Sequence, residues 1–300
     1  MRIFTIILTI LAIMVGCGRS EESGRPVVVV STPAVGRIVD EIGGEEVETI
    51  VLLPPGSDPE SYEPDMASMK RSAKADAFLT LNTIGFEQRL TEQMASGLPG
   101  LQSIDLSGGI ELVTDSHGHG KSDAHSHSGG HSRGHSEAEG DPHLLSSPAN
   151  ARIIARNTVE ALSRLYPACA EEFCRRGGRL DSLLAVQQRE VGALLKGIEG
   201  GTFIVMHPSL SYFGREYGLR QISLEREGKE TTPRQMEVRL EEARRGNPRL
   251  MVSDGSHNPE QAAEIARRLN LPIISTDFNA ADFIEQYTHL AKALAKPNQP

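Results

Sequence analysis

The chain reads as an α/β protein of two lobes, each a parallel sheet flanked by helices, joined by a long interlobe helix. Three observations predict this. Short β-branched runs alternate with helical stretches through residues 27–106, the same alternation returns through 202–295, and two long helical stretches without a strand separate the two series. A chain of 300 residues is ample for two compact lobes with cores of their own.

Val27-Val28-Val29-Val30 is a continuous β-branched run, the pattern of a parallel strand covered on both faces. A helix at 35–42 comes next, then a strand at 47–53 that stops at Pro54-Pro55-Gly56, and 64–74 reads as a helix opened by Pro64 in its first turn. A strand at 77–81, a helix at 86–94 and a strand at 104–106 complete the first series. Between the series lie helical stretches 149–165 and 168–198, the second with a kink expected at Gly177-Gly178. Strands at 202–206, 219–223, 250–253 and 273–275 then alternate with helices at 212–217, 233–245, 259–269 and 281–295. The resulting plan is a signal segment 1–16, a tether 17–26, an N-terminal lobe 27–166 that contains a histidine-rich loop 115–140, a linking helix 167–198 and a C-terminal lobe 199–300.

At the N-terminus, Arg2 precedes an apolar run 3–15 and Val15-Gly16-Cys17-Gly18, the layout of a cleaved export signal. The run falls short of the about 20 residues that a membrane span needs. Met14-Val15-Gly16-Cys17 resembles the bacterial lipobox, with Met14 in place of the usual leucine, and this implies lipidation of Cys17; the alternative is an ordinary secretory signal with an incidental cysteine. Either reading puts the protein outside the cytoplasm, and the first anchors it to the membrane. Cys169 and Cys174 fall in a helical segment, where five residues rise about 7.5 Å. That exceeds the usual Cα separation of a disulfide, so free thiols are expected unless the Tyr166-Pro167 boundary distorts the turn.

The net charge of −9 lacks the basic face that nucleic acid demands, and the absence of tryptophan disfavours a sugar cleft built on stacked rings. Residues 114–143 hold seven of the ten histidines. Between 115 and 141 the composition is mainly His, Gly, Ser, Asp and Glu with almost no apolar residue, too polar to bury enough surface to order itself. Neutral imidazoles at His117, His119, His125, His127, His131 and His135 suit zinc or another late transition metal, so this segment is expected to be an auxiliary metal-gathering loop. A merely solubilising surface loop is the alternative.

In parallel α/β sheets, ligands bind beyond the carboxyl ends of strands. At such positions stand Glu60 in the first lobe and His207 and Asp277 in the second, with His143 in Asp141-Pro142-His143 before the interlobe helices. Two imidazoles and two carboxylates at corresponding strand ends form a four-point site for a divalent cation. Each has a plain alternative. His207 could bond a backbone carbonyl, Glu60 and Asp277 could cap the next helices, and Asp58 and Asp141 before prolines organise turns.

Three blocks, as a set and in order, carry a resemblance: Pro55-Gly56-Ser57-Asp58-Pro59-Glu60-Ser61-Tyr62-Glu63-Pro64, then Asp141-Pro142-His143 with Pro148-Ala149-Asn150, then Met206-His207-Pro208-Ser209 with Tyr212-Phe213 and Tyr217-Gly218-Leu219. They resemble the signature blocks of the zinc- and manganese-binding lipoproteins that feed bacterial ABC importers, the ZnuA-like, cluster A-I solute-binding proteins. Glu227-Gly228-Lys229-Glu230 with Pro233 is similar to a further block. The resemblance implies a metal in the cleft between two lobes and a histidine-rich loop of the zinc branch. Where that family most often has a Pro-His turn, this chain has Glu60, which hardens the site and makes Mn2+ or iron more tolerable. The family's acidic residue after the third strand of the second lobe is Asp254, its last block reads Asp277-Phe278-Asn279, and His257 is read as a surface histidine.

The function expected is a monomeric, membrane-anchored receptor that captures Zn2+ and delivers it to an ABC permease, without catalysis. A metallohydrolase with Glu60 as base is the rival, disfavoured by the lack of an HExxH motif. An adhesin or metal-buffering surface protein, whose active part is the loop, is the third reading.

Overall fold

The computed structural model describes residues 25–97, 101–114, 140–225, 231–254 and 258–296. The signal segment with Cys17, the six loop histidines, the block 227–230 and His257 lie outside the described residues.

Two four-stranded parallel sheets share one topology. In the first, β1 (Val27–Val30), β2 (Glu48–Val51), β3 (Ala77–Thr80) and β4 (Gln102–Asp105) run in the order β2-β1-β3-β4. In the second, β5 (Thr202–Val205), β6 (Arg220–Ser223), β7 (Met251–Ser253) and β8 (Ile273–Ser275) run in the order β6-β5-β7-β8. In each sheet the first strand is interior, so its carboxyl end lies at the switch point where the chain's connections diverge to either side.

The hydrophobic patterns explain the layering. Val28 and Val30 point to one core cluster and Val29 to another; Phe203 and Val205 likewise share a cluster that excludes Ile204. This is the two-residue alternation of a strand covered on both faces. The largest cluster is continuous from Val28 and Leu79 in the first sheet, through Phe173 and Leu184, to Phe203, Tyr287 and Leu294 beyond the second.

The sheets are flanked by α1 (Pro33–Gly43), α2 (Met66–Ser72), α3 (Gly85–Gly97), α6 (Ser211–Tyr217), α7 (Pro233–Arg245), α8 (Pro259–Leu269) and α9 (Phe283–Ala295), with α4 (Pro148–Leu165) and α5 (Ala170–Leu195) between. Most begin at a recognisable cap. Thr32 and Asn258 accept from the backbone three residues on, with proline at the first position, and Thr232 and Gln235 form a reciprocal capping box. The expected start at Pro64 is corrected by the same chemistry. Asp65 accepts from Ser68 N at 2.7 Å and becomes the cap, so α2 begins at Met66 and Pro64 stays outside.

Helices α4 and α5 fold back on one another across a short 3-10 turn at Pro167–Cys169. At 26 residues, α5 is about 39 Å long and packs on α1 of the first lobe and α9 of the second. Its helix is unbroken through Gly177-Gly178, and Gly177 serves a different purpose. A Cβ there would lie 2.2 Å from Val159 Cγ2, so the missing side chain lets the two helices meet. The Tyr166-Pro167 boundary does interrupt the helix, placing Cys169 in the turn and Cys174 in α5, and no disulfide joins the two.

Candidate metal centre

Three loops from different strand ends converge between the lobes. After β2, Gly56 turns the chain at φ 75°, and Asp58 organises the next residues: its carboxylate accepts from Glu60 N at 2.9 Å and from Ser61 Oγ at 2.7 Å. Tyr62 then donates to Leu52 O at 2.8 Å and packs edge-on against Phe86, which fixes the far end of the loop. The Glu60 side chain is left pointing into the cleft, three-quarters covered.

His143 lies just beyond the end of the histidine-rich segment and is held by Asp141. One carboxylate oxygen of Asp141 accepts from His143 N at 2.8 Å and lies 2.9 Å from His143 Nδ1. An ionised carboxylate can only accept, so Nδ1 carries the hydrogen and the Nε2 lone pair is presented to the cleft. Burial acts to raise the Asp141 pKa, but the bonds and charge of His143 outweigh it and hold the carboxyl below its ordinary range.

His207 ends the run Phe203 to Met206 and is almost wholly buried, with its ring 4.9 Å from that of His143. Its Nε2 lies 2.9 Å from Glu60 Oε1, and His143 Nε2 lies 4.0 Å from the same oxygen. Burial works to raise the Glu60 carboxyl as well, but His207, and less strongly His143, hold it below the ordinary value. Glu60, His143 and His207 thus offer donor atoms all within 4.8 Å of one another. Around a tetrahedral zinc with bonds near 2.05 Å, neighbouring donors stand about 3.3 Å apart, so the observed separations bracket what the ion requires.

Asp277, the fourth expected ligand, falls outside that triad and lies across a small cavity of about 20 Å³ that His143 also lines, with Asp58, Ser209, Asp254 and Thr276. That is room for about one water-sized occupant. The Asp277 carboxylate accepts from Asn279 N at 2.8 Å and caps no helix; α9 starts only at Phe283. Its pKa is raised, first by burial and then by the charge of Asp254, despite that backbone donor. Asp277 and Asp254 thus line the same cavity, each carboxylate disfavouring the charge of the other.

The residues that sequence reasoning underused are Asp141, read only as a turn former, and Asp254, read only as a family landmark. The Asp-Pro-His spacing was the available signal for the first, since a residue two before a ligand can return its carboxylate to the ring.

A two-lobed α/β chain with imidazoles and carboxylates gathered where the strand ends of both sheets face one another defines a ligand-capturing, cleft-binding class of protein. Within that class the match is specific: residues 28–296 fit the sequence profile of the zinc-uptake complex component A, periplasmic (ZnuA), and the chain belongs to that family. It is 26% identical over 208 residues to the zinc-binding protein AdcA of Streptococcus pyogenes serotype M3, covering 67% of this chain and 40% of that one, so it spans well under half the length of that relative. A Chlamydia muridarum protein matches end to end, 23% identical over 297 residues, 98% of this chain and 99% of the other. Among solved structures, a crystal structure of ZnuA superposes with a TM-score of 0.79 at 24% identity, over 92% of this chain and all of that one. FpvC of Pseudomonas aeruginosa, in complex with Mn2+, superposes with a TM-score of 0.74 at 19% identity, over 91% and 97%.

Proposed function

We propose that the protein is an extracytoplasmic receptor that captures Zn2+ through Glu60, His143 and His207, with Asp277 completing the set, and passes it to an ABC permease. The observation that carries this reading is the convergence of three donors from three separate strand-end loops of both lobes. Two neutral imidazoles favour zinc, and the carboxylates offset its charge. Binding and release suffice for this task. Nothing in the chemistry of the triad demands a reaction, since Glu60, the one candidate base, stands within 2.9 Å of His207 as a co-ligand would.

Anchoring through a lipidated Cys17, a monomeric state, and the division into lobes 27–166 and 199–300 joined by 167–198 belong to the same proposal. Among the described residues no helix is long and apolar enough to cross a membrane. Manganese is a second reading, favoured by the two carboxylates among four donors. A structural relative, a ZnuA deletion mutant crystallised with zinc bound, holds zinc without part of its chain, which supports the zinc reading.

Metal analysis of protein purified without chelator tests the proposal, with and without residues 116–139. One tightly held zinc should survive the deletion while the total falls. The deletion is tolerable because Asp141 N already donates to Val113 O at 2.8 Å, so the ends of the segment meet. Loss of the tight zinc with the loop would make the histidine cluster the principal site, and preferential retention of manganese in a competition would select the second reading.

A further inference from the structure

Residues 111–114 and 140–141, which flank the histidine-rich segment in the sequence, form a stem clamped by α6 of the opposite lobe. Asp141 N donates to Val113 O, which closes the stem. Gly140 allows that approach, for a Cβ there would lie 2.7 Å from Leu112 Cβ. The buried Tyr212 hydroxyl then bridges both sides, donating to Asp141 O at 2.7 Å and accepting from Val113 N at 3.3 Å. One turn along, Arg215 donates to Glu111 O at 2.7 Å and lies over the Tyr212 ring, 5.2 Å from its centroid.

The position of this clamp gives it a role at the metal. Asp141, whose backbone Tyr212 holds, is the residue whose carboxylate aims the His143 ring. Helix α6, which carries Tyr212, begins four residues after His207. We propose that Tyr212 is a positioning residue of the metal centre, fixing Asp141 and hence His143 in register with His207 across the cleft. The proposal rests on the metal-receptor reading. Its physical content is that the two imidazoles come from different lobes, and that beside the packing of α5 on both lobes a hydroxyl bonded on both sides of the stem holds the turn that carries His143. Carboxylates that orient a ligating histidine contribute about 10–100-fold to affinity, and the residue that holds such a carboxylate contributes a share of that.

The test is a cycle of Tyr212→Phe, Asp141→Ala and the double variant, each titrated with Zn2+ against a competing chelator and with Co2+ for its visible absorption spectrum. Tyr212→Phe keeps the ring under Arg215 and should lower zinc affinity about three- to tenfold, with an altered Co2+ spectrum. Asp141→Ala should lose about 10–100-fold, and the double variant no more than Asp141→Ala alone, because Tyr212 then has no carboxylate left to place. Tyr287→Phe is the control: it too removes a buried bond between lobes, to Leu145 O at 2.6 Å, and should lower thermal stability while leaving affinity and spectrum unchanged. Wild-type affinity in Tyr212→Phe, or full additivity in the double variant, overturns the proposal. If Tyr212→Phe does not fold, Arg215→Met, which loosens the same stem from its exposed side, should shift the Co2+ spectrum in its place, and an unchanged spectrum overturns the proposal. A wild-type protein that binds no tight zinc refutes instead the reading on which it rests.

Discussion

Removing His207 is the most direct perturbation of the site. In protein lacking residues 116–139, so that no loop imidazole can substitute, His207→Ala leaves Glu60 and His143, whose facing atoms are 4.0 Å apart and which come after strands of the same sheet. The ion then loses the imidazole that ties it to the second lobe, and only Asp277 remains there. We expect zinc affinity to fall at least tenfold, about 1.4 kcal/mol. At a fixed saturating concentration, that difference comes off the stabilisation zinc confers, a loss of roughly 3 °C in the zinc-induced rise of Tm. A second consequence concerns Glu60. Its carboxyl is held low by His207 against the opposing effect of burial, so without the imidazole its pKa should rise, and protons should compete with zinc at higher pH than in the parent protein. Competition titration and thermal melts with and without zinc, at several pH values, measure both effects. An unchanged affinity together with an unchanged zinc-induced Tm shift would refute the assignment of His207 as a ligand.

Further outcomes rest on the same geometry. Zinc affinity should fall as the pH drops through about 6.5, because imidazoles must be neutral to donate, and a flat titration between mildly alkaline and mildly acidic solution would contradict a two-histidine site. For the zinc-free protein, Glu60 and Asp141 have folded pKa values below their ordinary 4.5 and 3.8, so the stability they contribute is present above those values and lost as the pH falls through the folded ones. Asp277 has the opposite sign: its raised pKa means that its ionised form opposes folding at neutral pH. Asp277→Asn should therefore raise the Tm of the zinc-free protein while weakening zinc about tenfold, and a lowered Tm would show that burial of its charge is compensated. Gly177→Ala should cost about 0.5–2 kcal/mol in denaturant unfolding, the overlap with Val159 outweighing the better helix propensity of alanine.

The sequence by itself determined the elements and their order. Alternating β-branched runs and helical stretches, with prolines at the helix starts Pro233 and Pro259, are local signals that nearby backbone bonds decide, and α7, α8 and β8 have the bounds read from them. The same locality made the candidate ligands legible, because parallel strands put their carboxyl ends on one side and each ligand lies past such an end or in a turn beside it. What the tertiary structure decided is which of them meet. Glu60, His143 and His207 form a triad while Asp277 stands across the cavity beside Asp254. That distinction is one of a few ångströms between lobes, and it is set by how α5 packs on α1 and α9 around a core continuous through both sheets. The start of α2, the close approach at Gly177 and the reach of Tyr212 to Asp141 also emerged only in the folded chain. The last two depend on a partner distant in sequence, about which spacing along the chain carries no information, whereas the start of α2 is a local choice between Pro64 in the first turn and Asp65 as the cap.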